Sequence, residues 1–265
     1  MAGQLKAALI PLSWNGHNMI FKKSAGCLAL LLISATAMAD DVVNARYETV
    51  QCAQPCNAEE AKHVQWWLMR DTNQVEIRNL YQNGEPAHHS SLWLKKPAGQ
   101  MNYVYLMHDE RRAIDYADVD LKLLSIKTDE QFWQLKSQLV SDSELASLQK
   151  VAAESGTQYG YPVEKYVGTL GNGIHSEVWW IPALKLPYKV AYSYPQHTVN
   201  IQMQSLQPAA KADQSVEVAP ATSLTALSNY QHVDYTDLGD MEHNPSEMQW
   251  LAKAHGAPGL QGHSH

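Results

Sequence analysis

Between Ile174 and Leu206 the chain alternates apolar and polar residues three times in succession, and few folds accommodate that. Ile174, Ser176, Val178 and Trp180 share one phase, as do Tyr188, Val190, Tyr192 and Tyr194, and then Val199, Ile201 and Met203. Asn200, Gln202 and Gln204 occupy the other phase of the last run. A period of two over three consecutive segments predicts an antiparallel sheet with one apolar and one wet face. The Gly171-Asn172-Gly173 step before it carries the Asn-Gly pair of a type I′ hairpin turn. With strands on both sides and no helix after it, the glycine group of Gly168, Gly171 and Gly173 reads as this hairpin and not as a phosphate loop.

Shorter strands precede this block. Trp66 to Leu68, Val75 to Asn79, Ser91 to Lys95, Tyr103 to Met107 and Arg112 to Tyr116 are separated by Asp71-Thr72-Asn73, Asn83-Gly84-Glu85-Pro86 and Lys96-Pro97-Ala98-Gly99. Between the two strand regions the period changes. Thr128-Asp129-Glu130-Gln131 and Ser141-Asp142-Ser143-Glu144 both read as capping boxes. The first leads a helix carrying Phe132, Leu135 and Leu139, the second a helix carrying Leu145, Leu148 and Ala152 that stops at Gly156. Their apolar faces need the sheet's apolar face as a partner. The fold class is therefore α+β, a mainly antiparallel sheet with a central helical insertion and a C-terminal extension. Residues 208–240, rich in Pro, Ala, Ser and Thr, read as a linker or loop in which Val216-Glu217-Val218 could form an edge strand. Within residues 241–265, Asn244-Pro245-Ser246-Glu247 starts a helix closed by Gly256, and a flexible tail follows.

The N-terminus gives an address. Lys22 and Lys23 precede an apolar run over 25–35, and Ala37-Met38-Ala39 has the form of a signal-peptidase site, so residues 1–39 read as a leader and signal peptide cleaved after Ala39. Met19 is an alternative start, since Pro11 and 15–18 do not suit a signal peptide. Ser24-Ala25-Gly26-Cys27 lacks the leucine of a lipoprotein signal. The apolar run is shorter than the roughly 20 residues that span a bilayer, so no transmembrane anchor is expected. These features predict periplasmic export and a sheet domain over 40–207. Loss of three lysines from the 20 basic residues leaves 17 against 27 acidic ones, a net charge of −10. Nucleic acid is thereby disfavoured as a partner.

Cys52 and Cys56 remain after processing, in Cys52-Ala53-Gln54-Pro55-Cys56. In an oxidising compartment they are expected to form a disulfide, with a redox or copper-handling dithiol as the alternative. No nucleophile elbow, Walker loop, zinc-protease helix or dinucleotide fingerprint is present, so nothing assigns a reaction or a cofactor. The acidic series Asp234, Asp237, Asp240 and Glu242, like Asp115, Asp118 and Asp120, lacks the alternation of a calcium loop. Histidines concentrate at the C-terminus as His232, His243, His255, His263 and His265. Met241, His243, Met248 and His255 are accordingly an alternative copper or zinc site. The aromatics, eight Trp and 13 Tyr against two Phe, suit a sheet face that offers apolar contact with polar edges.

Trp179-Trp180-Ile181-Pro182 leading into Leu186-Pro187-Tyr188 and a final hairpin, after meandering strands and a helical insertion, resembles the periplasmic lipoprotein-carrier superfamily over about 42–207. That superfamily includes lipoprotein-sorting chaperones and a sigma-factor regulator. The resemblance implies a strongly curved, unclosed half-barrel that wraps its helices and holds an acyl chain or lipidated segment on its concave face. A hydrophobic ligand, and possible binding to another envelope protein, follow as expectations. The residues expected to line such a face are Trp93, Tyr105, Ile114, Trp180, Tyr192 and Ile201.

Overall fold

The computed structural model describes residues 43–208, 227–241, 249–254 and 256–260. The expected signal peptide, the Val216–Val218 strand and the start of the C-terminal helix lie outside them. Eleven strands run in chain order as β1 (Val43–Ala53), β2 (Lys62–Asp71), β3 (Gln74–Leu80), β4 (His89–Lys95), β5 (Met101–Met107), β6 (Arg112–Tyr116), β7 (Gln149–Gln158), β8 (Tyr161–Thr169), β9 (His175–Ile181), β10 (Leu186–Ser193) and β11 (His197–Pro208). A twelfth, β12 (Gln231–Asp234), completes one curved, open sheet in the order β12-β6-β5-β4-β3-β2-β1-β11-β10-β9-β8-β7. Two antiparallel meanders are joined where β1 pairs β11 over its whole length, and only β12 runs parallel to its neighbour.

Registers carry one face from β6 across to β9. Ile114, Tyr105, Ser91, Ile77, Leu68 and Ala45 are successive partners across β6 to β1. Farther along β1, Thr49 opposes Ile201, which opposes Val190, which opposes Val178. Directly opposed residues project to the same side, so this inner face runs from β6 to β9. The alternation read from Ile174 to Met203 therefore holds, with a bulge between Pro187 and Lys189 where Tyr188 adds a residue. Most of the inner face belongs to one apolar cluster that includes Tyr47, Leu68, Trp93, Ile114, Tyr116 and Met203. A second, around Val178, Trp180 and Val190, covers the β8–β10 end.

Three helices lie between β6 and β7: α1 (Asp118–Leu123), α2 (Glu130–Gln138) and α3 (Asp142–Ser147). The α3 capping box forms as expected, with Ser141 Oγ accepting the Glu144 amide at 3.2 Å and Glu144 Oε2 accepting the Ser141 amide at 2.9 Å. At α2 the cap is Asp129, whose carboxylate accepts the Phe132 amide at 2.8 Å, and not Thr128. Thr128 instead bonds the Asp118 carboxylate. The buried face of α2 is Trp133 and Ser137, whereas Leu135 is exposed.

Three further expectations are corrected. The helix expected to reach Gly156 ends at Ser147, because Gln149, Lys150 and Val151 pair with Val167, Tyr166 and Lys165 and complete the β8 ladder. The Gly171–Gly173 turn is not type I′. It is a turn closed by the Gly173 amide on Leu170 O at 2.8 Å, with left-handed Gly173 at φ 83°, the three-residue form of a hairpin loop. Within the expected linker, Gln231–Asp234 forms β12, followed by a 3-10 turn at Tyr235–Asp237 and helix α4 (Leu238–Met241).

Candidate functional site

All six expected lining residues project from the inner face, but they are covered to different degrees. Trp93, Tyr105, Ile114 and Trp180 are buried, while Tyr192 and Ile201 are half-buried. Trp93 tilts against Tyr103 at 4.6 Å, meets Phe132 of α2 edge-on at 4.9 Å and lies under the Lys136 ammonium at 5.4 Å. Trp180 and Val190 pack with Val140 and Leu148 from the α2–α3 region, and Tyr192, Ile201 and Leu145 flank them. Tyr105 meets another element, the C-terminal segment at Gly256, and Ile114 lies in the same apolar cluster as Trp250 and Ala257. The structure thus brings Trp93, Trp180, Tyr192 and Ile201 beneath the helices and places Tyr105 and Ile114 elsewhere on the face. Burial pushes the Tyr192 phenol up and the Tyr103 phenol to about 12, so both remain protonated hydrogen-bonding groups.

An opening lies where α2 meets the β9–β10 turn. A cavity of about 330 Å³ is lined by Arg70 to Thr72, by Trp133, Ser137 and Gln138, and by Pro182 to Lys185. Two of its lining residues, Trp133 and Leu184, belong to the main apolar cluster. Most of the others are polar, and Arg70 ties the walls together. The guanidinium donates to Ser137 O at 2.7 Å, to Lys185 O at 3.3 Å and to Leu184 O. Burial lowers the Arg70 pKa from its ordinary 12.5, and the neighbouring Tyr47 phenol offsets part of that. Beside it Tyr47, fully buried, donates to Pro187 O at 2.9 Å. The lining expected from sequence omitted Arg70, Trp133 and Leu184. One signal was present, because Trp66, Leu68 and Arg70 share a strand phase and a charge in the apolar phase of a strand requires buried acceptors.

The cover is lightly built. Helix α2 has nine residues, below the roughly 12–15 at which an isolated helix becomes stable. Non-glycine residues in left-handed conformation flank it, Ser125 at φ 58° and Leu139 at φ 65°. Apart from Arg70, a Lys95–Glu130 pair at 2.6 Å holds its first turn to β4. A second, polar cavity of about 290 Å³ lies between Gln131, Ser143, Glu144 and Ser147 and the Leu170–Asn172 turn.

The two cysteines form the expected disulfide, Cys52–Cys56, with a Cα–Cα distance of 5.3 Å. It closes a loop whose Gln54 amide donates to Gln196 O at 2.8 Å. Of the alternative metal ligands, Met241 packs against the main apolar cluster, and His243, Met248 and His255 lie outside the described residues. Among the described residues no group of three or more His, Cys, Asp or Glu is placed to hold a metal ion. No described helix is long and apolar enough to cross a membrane.

No protein-family model and no curated protein matches the chain. Solved structures do. The chain is similar to a putative outer membrane lipoprotein-sorting protein domain from Vibrio parahaemolyticus, at 12% identity and a TM-score of 0.26 over 67% of this chain and 87% of that one. A LolA superfamily protein from Nitrosomonas europaea aligns at 6% identity and a TM-score of 0.27, over 69% of this chain and 89% of that chain. The Pseudomonas aeruginosa MucA/MucB complex aligns at 14% identity and a TM-score of 0.30, covering 73% of this chain and 58% of that one.

Proposed function

We propose that this chain is a non-enzymatic periplasmic carrier, exported by cleavage after Ala39, that holds a lipid-like or hydrophobic ligand, or the lipidated segment of another envelope protein, on its inner sheet face. The observation that carries this reading is the opening at Arg70. Its lining combines polar groups with Trp133 and Leu184 of the main apolar cluster, a mixture that suits an amphipathic molecule. At about 330 Å³ the cavity is near the low end of the roughly 300–1,000 Å³ of small-molecule sites. A full acyl chain therefore requires α2 to move away from Trp93. That motion exposes Trp93 and reaches toward Trp180, Tyr192 and Ile201, which lie under the adjoining helices. Arg70 and Lys185 at the rim would face the ligand's polar end.

Native mass spectrometry of protein purified from the periplasm tests this, together with titration of the delipidated protein with a fluorescent fatty-acid probe. Co-purified lipid and quenching of tryptophan emission by the probe are expected. Protein that emerges empty and shows no affinity for the probe would remove the reading.

A further inference from the structure

Helix α1 presents the two most exposed large apolar side chains among the described residues, Val119 at 61% and Leu123 at 75%. Residues at this i, i+4 spacing share one face of a helix. The other face is fixed to the protein. Leu121 is fully buried in the main apolar cluster, Leu124 packs against that cluster, and the Asp120 carboxylate accepts the Ala117 amide at 2.8 Å. A helix pinned in this way cannot turn Val119 and Leu123 inward. Apolar side chains exposed singly are ordinary, but a pair held together on one face marks a contact surface.

The strand registers place this pair at the same end of the sheet as the Arg70 opening. Tyr116, just before α1, opposes Tyr103 near the start of β5, and Met101 opposes Lys95 at the end of β4. Leu94 then opposes Gln74, Gln74 opposes Asp71, and Arg70 opposes Val43. Val43 opposes Pro208 at the end of β11, while β9 ends and β10 begins at the opposed Ile181 and Leu186. Charge separates this end from the other. Lys96, Lys127 and Lys185 are exposed here and belong to no ion pair among the described residues. The nearby acids are engaged: Asp71 with the Gln74 amide at 2.9 Å, Asp129 with the Phe132 amide at 2.8 Å and Glu130 with Lys95 at 2.6 Å. Lys122 pairs with Asp118 at 2.6 Å, yet the ammonium side chain is 65% exposed and the carboxylate side chain only 17%, so the positive group is outermost. At the opposite end the β1–β2, β3–β4 and β5–β6 turns expose Glu59, Glu60, Glu85 and Asp109, against Arg111.

We propose that Val119 and Leu123, flanked by Lys122 and Lys127, dock this end of the protein on an anionic phospholipid surface, with the Arg70 opening turned towards the headgroups. The apolar pair enters the acyl boundary while the lysines stay at headgroup level, where each meets negative charge. A second copy of the chain is a poorer occupant. Two side chains fall far short of the roughly 1,200–2,000 Å² of a stable protein interface, and in a symmetric pair the lysines would face one another. The use of docking, passage of ligand between bilayer and cavity, rests on the carrier reading; docking itself does not.

Docking is measured by sedimenting protein purified from the periplasm with vesicles of equal parts phosphatidylcholine and phosphatidylglycerol, and with vesicles of phosphatidylcholine alone. Wild type should bind the anionic vesicles, less strongly as salt rises. Val119→Ser/Leu123→Ser should lose at least about tenfold in vesicle affinity. Lys122→Gln/Lys127→Gln should reduce the preference for anionic over neutral vesicles by about tenfold. An environment-sensitive fluorophore on Leu123→Cys should shift to the blue when anionic vesicles are added, whereas one on Glu60→Cys at the opposite end should not. That readout covers the case in which a serine variant does not fold. Binding of the fatty-acid probe in solution should be equal in wild type and every variant, so its absence throughout counts against the carrier reading and not against docking. Protein that stays in solution beside anionic vesicles, or that sediments equally well after Val119→Ser/Leu123→Ser, would overturn the proposal. So would dimers that dissociate in that double variant while wild type shows no vesicle affinity, which would assign the face to a second copy.

Discussion

Replacing Arg70 by methionine keeps the aliphatic volume and removes the guanidinium that joins the last turn of α2 to the β9–β10 turn. The bonds to Ser137 O and Leu184 O are partly buried, whereas the one to Lys185 O is exposed at 3.3 Å and adds little. Each bond from a charged donor contributes about 1.5–3 kcal/mol, and an orphaned carbonyl costs about 1–3 kcal/mol. Relief from burying a charge offsets part of this, so the net loss should be roughly 3 kcal/mol. For a domain of this size that lowers Tm by about 6–12 °C. The loss should be local as well as global. Amides of α2 and of residues 184–187 should exchange at least about 100-fold faster, the factor for roughly 3 kcal/mol, and they should do so by local opening, whereas β1 and β2 amides should lose protection only in step with the fall in global stability. Hydrogen exchange read by mass spectrometry measures both. Arg70→Lys should fall between, since an ammonium cannot serve divergent carbonyls with a planar fork. A variant with native Tm, or one in which α2 exchange is unchanged, would refute the idea that Arg70 fastens this cover.

Three other outcomes are expected. His108 is buried near Arg78 and its pKa is held down to about 4, whereas the unfolded imidazole titrates near 6.5. The unfolded chain therefore takes the proton first, so this contribution to stability is complete above about pH 6.5 and declines as pH falls towards 4. After allowance for solvent screening the loss is on the order of 2 kcal/mol, and urea midpoints of His108→Gln should lack that slope. Ser125→Gly, at an exposed residue held at φ 58°, should raise stability by up to about 1 kcal/mol in urea unfolding. Reducing Cys52–Cys56 should cost about 2 kcal/mol, the chain-entropy value for so small a loop, seen as a lower urea midpoint with reductant.

The outer-face network around His108 shows how far a sequence pattern reaches. Tyr230 OH meets His108 Nδ1 at 2.8 Å, His108 Nε2 meets Ser90 Oγ at 2.9 Å, and Ser90 Oγ donates to buried Glu76 at 2.6 Å. With Glu76 as the final acceptor, Nε2 carries the proton and every donor in the row is used. Glu76 occupies the polar phase of its strand and reads as solvent-facing; Leu227 and Tyr230, far along the chain, cover that side.

Local chemistry by itself determined most of the hairpin strands, the α3 capping box and the Cys52–Cys56 disulfide, because each depends on neighbours within a few residues; β1, whose partner β11 lies far along the chain, was not legible in this way. The shared inner face of Trp93, Tyr105, Ile114, Trp180, Tyr192 and Ile201 was also legible, since a period of two survives whatever order the strands take. Tertiary structure decided the rest. Residues 149–158 carry a helical spacing as well as strand-forming ability, and a vacant β8 edge selected the strand. Arg70 finds its acceptors 67 and 114 residues away, β12 adds to an edge that no local pattern names, and the C-terminal segment covers Tyr105. Those pairings depend on loop closure and on which apolar surface is still uncovered once the sheet has formed, properties of the whole chain rather than of any one stretch.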